Sequence, residues 1–404
     1  MKKIVLMPLV ACSVLLASGY KIPETSTNSV ALSGANIAHV KSADAAYDNP
    51  ANMVFMTDNN HMEADLMYIG TSATKYTPTT GTEISAKAQD FIVPSLHYVS
   101  SKLGDNNARI GVSVVVPGGL SRQWKDQPAK ASAEEFTLEI VEVNPTAAFS
   151  VTDKVAVAVG FRMIHSSGIV KVTPSDNPAF PVFQNMTGDS TDFGYNLALA
   201  YHPTNDIQIG VTYRSLVNLT TEGTAKLSHP TYAISGDYDV GVSIPLPATF
   251  SAAIAYTLPT STTIELVYEK TYWSAYRNID FNYIDPTAEA VFGNPRAKNW
   301  KDTNAYRLGI TQELDSVTIM AGVVFDETPT PEETLGFESP GSNSLSVSLG
   351  GRYEISKTID LGLSALYSMK EDRTVSNTIN TNGIDGTFSN SNALLISAGL
   401  GYKF

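Results

Sequence analysis

One cysteine stands in 404 residues, and charged side chains make up only 17% of the chain. The cysteine is Cys12, so the rest of the chain builds no disulfide scaffold and no thiolate metal site. Lys and Arg number 27 against 40 Asp and Glu, a formal net charge of −13 with no basic cluster. Neutralising phosphates needs a basic face, which excludes nucleic acid as a partner. No stretch reaches the roughly 18 consecutive apolar residues of a helical membrane span. The six histidines, His39, His61, His97, His165, His202 and His229, show no metal-ligand spacing. Gly-x-Ser-x-Gly and phosphate-loop motifs are absent too, so neither catalytic residues, nor a metal, nor a cofactor is expected.

What is there begins with an export signal. Lys2 and Lys3 precede an apolar stretch from Ile4 to Ala17, too short for the ~20 residues that cross a bilayer. Ala17-Ser18-Gly19 supplies the small-x-small pattern of a cleavage site, so residues 1–19 are expected to be a signal peptide. Leu9-Val10-Ala11-Cys12 also resembles a lipoprotein box, but cleavage there would strand Val14 to Ala17 on the mature end. An exported membrane chain without helical spans must close into a β-barrel, because lipid offers no partner to open backbone groups.

Residues 59–404 carry that pattern. In the last segment Leu394, Ile396, Ala398, Leu400, Tyr402 and Phe404 share one face, opposite Ser397, Gly399, Gly401 and Lys403. The alternation recurs from Val155 to Phe161, Ile207 to Tyr213, Val317 to Phe325, Leu345 to Tyr353 and Ile359 to Tyr367. Such segments number about fourteen, an even count as in bacterial single-chain barrels. Their centres fall near Leu66, Val93, Val112, Ile140, Val157, Leu197, Ile209, Phe250, Leu266, Leu308, Val323, Val347, Leu363 and Leu400. A soluble sandwich alternates in the same way. It has no reason, however, to separate short turns such as Asp105-Asn106-Asn107 and Pro259-Thr260-Ser261 by long polar loops such as Asn278 to Asp302. Tyr201, Tyr256, Tyr353 and Tyr402 fall at one rim and Tyr268, Tyr306 and Phe325 towards the other, as in aromatic girdles. The expectation is an all-β, antiparallel transmembrane barrel in the outer membrane of a Gram-negative bacterium. It would be assembled by the barrel assembly machinery through the strand ending at Phe404.

Residues 20–58 do not alternate. They are rich in small residues, loosely helical, and fit either a free periplasmic arm or a hatch folded inside the lumen, where polar backbone is tolerated.

Several ordered motifs carry a family likeness. They are Ala45-Ala46-Tyr47-Asp48 before Asn49-Pro50-Ala51, and Ile110 to Leu120 with Pro117-Gly118-Gly119. Further along come Thr212-Tyr213-Arg214-Ser215, Trp300-Lys301-Asp302 with Tyr306 to Gly309, and Val324 to Pro331. Together they resemble the FadL-type outer-membrane transporters of long-chain fatty acids and aromatic hydrocarbons. The likeness spans essentially the whole chain after the export signal.

The resemblance implies fourteen strands and an N-terminal hatch containing Asn49, Pro50 and Ala51. It also implies passive uptake of hydrophobic small molecules that leave sideways into outer-membrane lipid. The lateral gap is expected at Pro117, Gly118 and Gly119, with Asn49-Pro50-Ala51 lying against it. Pro117 cannot donate to a ladder and the glycines weaken it further. Apolar clusters in the outer loops, Phe180, Val182 and Phe183 with Phe281 and Phe292, suggest a groove for cargo. Lys301 and Arg307 are the candidate basic contacts of the lumen. Glu265, Glu269, Arg214, Arg307 and Arg352 are expected to pair across the interior. The chain is expected to act as a monomer. The competing reading is a general porin or adhesin-like barrel, for which loop apolarity and a hatch would be accidental.

Overall fold

The computed structural model describes residues 19–104 and 108–404. The expected export signal up to Ser18, with Cys12 and the Leu9–Cys12 box, lies outside the described residues, as does the turn Asp105-Asn106-Asn107.

Fourteen antiparallel strands close into one barrel. In chain order they are β1 (His61–Thr71), β2 (Gln89–Val99), β3 (Arg109–Val115 with Gly119–Gln123), β4 (Glu135–Thr152), β5 (Val155–Ser175), β6 (Val182–Tyr201) and β7 (Ile207–Arg214 with Val217–His229). They continue as β8 (Ile234–Leu246 with Thr249–Thr257), β9 (Thr262–Thr271), β10 (Thr303–Glu313), β11 (Val317–Asp326), β12 (Ser344–Glu354), β13 (Ile359–Lys370) and β14 (Ala393–Lys403). Closure is by β1, which pairs with β2 on one side and with β14 on the other, His61 opposite Lys403 through Thr71 opposite Ala393. Each of the fourteen expected centres lies in its own strand.

The burial pattern is inside out relative to a soluble protein. On β14 Leu394, Ile396, Leu400 and Tyr402 are exposed while Ser397 and Leu395 are buried. Leu66, Leu349 and Leu363 are 54%, 62% and 64% exposed, a level that only a lipid environment tolerates around a whole ring. The tyrosines of both expected girdles lie on this outer face. A tilted strand crosses the bilayer in about 9–11 residues. β5 has 21 and β6 has 20, so these strands rise beyond the membrane and the connections at 176–181 and 230–233 are tight rather than long.

Residues 20–60 run inside the ring, because their partners come from all around it. Thr27 N and Oγ1 donate to Asp65 of β1 at 3.0 and 2.6 Å. The backbone N–H groups of Ile37, Ala38 and His39 all donate to the Glu265 carboxylate of β9, at 2.8, 2.7 and 3.1 Å. Arg307 of β10 donates to Ser33 O at 2.8 Å, and Arg352 of β12 to Asn28 Oδ1 at 2.6 Å. Arg109 of β3 donates to the carbonyls of Met56 and Thr57 at 2.8 and 2.7 Å. The segment has its own knot: buried Asp44 accepts from Ser26 Oγ, Asn28 Nδ2 and Asn36 Nδ2 at 2.8, 2.9 and 3.0 Å.

Several lumen charges are matched as pairs, although Glu265, expected to pair across the interior, takes backbone N–H groups of the hatch instead. Arg162 and Arg214 share Glu142 at 2.9 and 3.1 Å, and Arg307 meets Glu269 at 3.1 Å. Arg352 bonds both Glu63 and Asp360.

Two expectations follow. Gly322 of β11 lies so close to the inner segment that a Cβ there would stand 2.2 Å from the carbonyl carbon of Leu32. Gly322→Ala should therefore push the segment aside and raise single-channel conductance in planar bilayers. Gly241→Ala, whose Cβ would meet nothing nearer than 3.8 Å, should leave conductance unchanged. Glu142→Ala would leave the buried Arg162 and the half-buried Arg214 without their carboxylate. Breaking such a pair costs about 3–5 kcal/mol, so the temperature at which the folded band converts on denaturing gels should fall measurably. An unchanged conversion temperature would show that the pair adds no stability.

Candidate functional site

Among the described residues the ladder is interrupted between β2 and β3, as it is between β6 and β7 from Asn196 opposite Arg214 to Asp189 opposite Glu222; the β2–β3 interruption is the one the hatch reaches. β2 and β3 pair only from Leu96 opposite Val114 to Val99 opposite Gly111. They meet again higher up, where Ala86 bridges Trp124 and Lys87 N donates to Gln123 O at 2.9 Å. From 86 to 96 and from 114 to 124 the two chains advance by the same ten residues, so no register is lost across the interval. Between these points Gly119–Gln123 pairs with β4 instead. The cause is local: Pro117 has no N–H to give β2, and the register against β4 slips by one residue between Val115, opposite Glu142, and Gly119, opposite Glu139.

The inner side of this window is covered by the start of the hatch. Ile22 N donates to Pro117 O at 2.9 Å and Gly119 N to Tyr20 O at 2.6 Å, with Lys21 bridged to Gly118. A Cβ on Gly118 would stand 2.6 Å from Tyr20 O, so glycine is what permits the approach. Ile22 packs with Val116, Phe91 and Val93 behind the opening.

Three spaces lie on this side of the wall. The outermost, about 380 Å³, lies between two apolar lobes of the outer loops. Tyr76, Phe337 and Ile384 face it from one lobe, and Phe136, Ile279 and Phe281 from the other. Below it is a pocket of about 10 Å³, room for about one water, walled by Leu120, Leu138, Ile244, Tyr276 and Trp300. Tyr20 forms one wall of that pocket. Its ring lies 4.7 Å from Trp273, 5.8 Å from Trp300 and 6.2 Å from Tyr276, and its hydroxyl donates to Pro245 O. The innermost space, about 80 Å³, is lined by Lys21, Ile22 and Pro117 with Arg162, Arg214, Glu269 and Arg307.

The outer space and the pocket below share Phe136 and the ion pair Lys298–Glu338, both of whose side chains are largely buried. Burial alone would raise the Glu338 carboxyl; the Lys298 ammonium outweighs it and holds the group below its ordinary range. Burial, with Glu338 nearby, pushes the Tyr276 hydroxyl well up, so it stays neutral.

Several site expectations need correcting. Lys301 is exposed, with its backbone N–H on Pro329 O, and does not face the lumen; the buried lysine is Lys298, three residues earlier. Asn49-Pro50-Ala51 does not lie against the window. Asn49 Nδ2 donates to Leu199 O of β6 at 3.2 Å, its Oδ1 caps the 3-10 turn Pro50–Phe55, and Ala51 packs with Ala148, Ala156 and Ala200. Of the outer-loop residues, Phe281 is buried in the apolar cluster and Phe292 packs against it. Phe180 is 44% exposed at the tip of the β5–β6 hairpin, with Val182 and Phe183 starting β6, so these three do not join that cluster. Arg307 is buried in the lumen, bonded to Ser33 O and Glu269.

Sequence reasoning missed Tyr20 to Ile22 and the Lys298–Glu338 pair. One signal was available: the chain has three tryptophans, Trp124, Trp273 and Trp300, and none sits in a girdle. All three are buried in the outer loops, two of them around Tyr20.

Known proteins agree with this architecture. Residues 8–404 match the family described as outer membrane protein transport protein (OMPP1/FadL/TodX). The chain is 22% identical to a 47 kDa outer membrane protein of Pasteurella multocida, over 96% of this chain and 94% of that one. It is 21% identical to the long-chain fatty acid transport protein of Escherichia coli K12, over 79% and 80%. Among solved structures, a Pseudomonas aeruginosa FadL homologue superposes with a TM-score of 0.84 at 17% identity, covering 96% of this chain and all 100% of that one. The Pseudomonas putida toluene transporter TodX gives 0.74 at 16% identity, covering 94% and 98%. The chain thus belongs to the OMPP1/FadL/TodX family: it is an outer-membrane β-barrel transport protein of Gram-negative type and not an enzyme.

Proposed function

We propose that this protein takes up small hydrophobic compounds passively and releases them sideways into the outer membrane through the window in β3. The observation that carries the reading is the unpaired interval between β2 and β3, bridged on the inside by Tyr20 to Ile22. Cargo would collect between the apolar lobes, enter the aromatic pocket as Tyr20 moves aside, and pass Ile22 and Pro117 into lipid. That path avoids the periplasm, where exposing apolar surface to water costs ~25 cal/mol per Å². The names of the relatives, long-chain fatty acid transport protein and toluene transporter, belong to the same chemical class. A general porin needs an open water path, and here residues 20–60 occupy the lumen with buried hydrogen bonds. The reading includes an export signal at 1–19, a hatch at 20–58 and a barrel at 59–404, assembled through the strand ending at Phe404 and working as a monomer.

A disulfide across the window tests the route. Gly118 is unsuitable, since any side chain there meets Tyr20. Gln89 and Ser121 face each other across the outer part of the interval, with Nε2 2.7 Å from Oγ. In Gln89→Cys/Ser121→Cys, oxidation, checked by thiol titration, should draw the strands together and reduce uptake of a radiolabelled hydrophobic compound, and reduction should restore it. Full uptake with the bond formed would rule out the lateral exit.

A further inference from the structure

The charges along the path are arranged in an unusual way. The outer space and the aromatic pocket meet at a seam made by Phe136, Lys298 and Glu338. Lys298 Nζ donates to Glu338 Oε1, and its backbone carbonyl accepts from Thr334 Oγ1, which fixes the lysine in place. Their side chains are 8% and 13% exposed, so the pair is screened little by water. The other ionisable groups near it are Arg296, which is exposed at the mouth, and Tyr276, which is neutral.

Further in, the same matching continues around the space beneath the pocket; Arg122, buried on β3, bonds Thr74 Oγ1 rather than a carboxylate, but it lines neither the pocket nor that space. Lys21 meets Glu269 at 2.5 Å, Arg307 meets Glu269 at 3.1 Å, and Arg162 and Arg214 meet Glu142. Each cation that lines the aromatic pocket or the space beneath it already has a carboxylate. A site built to hold an organic acid needs the reverse: a buried cation whose partner is the ligand. An incoming carboxylate would find Lys298 occupied and the Glu338 charge beside it, and like charges in a poorly hydrated seam repel strongly. An uncharged molecule crosses a seam with no net charge, without breaking the ion pair.

We propose that Glu338 is a specificity-determining residue: by neutralising Lys298 it sets the route for uncharged hydrophobic molecules and turns carboxylates away. The inference rests on the proposed uptake of hydrophobic compounds and narrows it to a cargo class.

The test is equilibrium binding of a matched pair, 1-dodecanol and dodecanoate, to the full-length protein in a neutral detergent at pH 8. The unsubstituted protein should bind the alcohol about tenfold or more tighter than the acid, the scale at which one unpaired charge contact discriminates. Glu338→Gln should reverse the order by freeing Lys298 for the acid. Adding Lys298→Gln to that variant should remove the gain and bring back the preference for the alcohol. The double variant, which removes the pair as a unit, keeps the test decisive if Glu338→Gln alone does not fold. Equal binding of acid and alcohol by the unsubstituted protein, or an unchanged ratio in Glu338→Gln, would overturn the assignment while leaving hydrophobic uptake standing. A double variant that prefers the acid would also overturn it. Binding of neither ligand to the unsubstituted protein would sink the uptake reading together with this one.

Discussion

A backbone group at hydrocarbon depth must have a partner, and the rest of this structure follows from that requirement. It forces the strands into a closed ring, with β1 joining β14. It also governs the place where β3 leaves β2. Gly119 N and Pro117 O, which lose their partners on β2 when β3 bends away, find Tyr20 O and Ile22 N instead. The hatch therefore completes the wall as well as filling the lumen. A break that would be untenable in an empty barrel is stable because three residues from inside replace the missing stretch of ladder.

The same logic explains why a lumen facing no solvent channel is so charged. A non-helical, non-strand segment such as 20–60 leaves many backbone groups unpaired, and the wall supplies side chains to meet them. Glu265 serves three successive N–H groups and Arg109 serves the carbonyls at the segment's end. Burying these charges is tolerable because each is bonded, several of them as ion pairs, with bonds to the hatch taking up spare donors. Arg214, for instance, bonds Glu142 through one nitrogen and Tyr47 O through another.

The barrel was legible in the sequence because period-two alternation is a local property: lipid on one side and lumen on the other impose it on each strand separately. The break in β3 was legible for a similar reason, since Pro117-Gly118-Gly119 weakens a ladder wherever it occurs. What was not legible depends on contacts far apart in the chain. Gly118 meets Lys21 across nearly a hundred residues, and Lys298 meets Glu338 between two loops with no periodicity to align them. Lys301 was a plausible choice by composition, but the turn of the loop exposes it and buries Lys298, a three-residue difference that no local pattern encodes. Asn49-Pro50-Ala51 shows the converse. Its local structure, an asparagine capping a turn begun by proline, is what the residues suggest, while its place beside β6 is set by the alanines of β4 to β6 that leave room for it.

Polar and apolar functions are separated along the barrel axis. Towards the periplasmic turns the wall meets the hatch mainly through bonded polar groups and small residues, such as Ala148, Ala156 and Ala200, that allow close approach. Towards the outer loops it meets the aromatic pocket through large apolar side chains, Leu120, Phe136, Leu138 and Ile244, joined by the aromatic groups around Tyr20. A hydrophobic molecule gains from contact with the upper region and has little to gain from the lower one, where hydrogen bonds are already made. The window lies where the two regimes meet: Tyr20 belongs to the aromatic pocket, Lys21 to the ion pairs of the lumen and Ile22 to the apolar lining of the gap. Three consecutive residues thus couple the pocket, the charged lumen and the opening in the wall. A route straight down would have to break the dense bonding of the hatch, whereas the proposed route through the side would first have to displace this short strand.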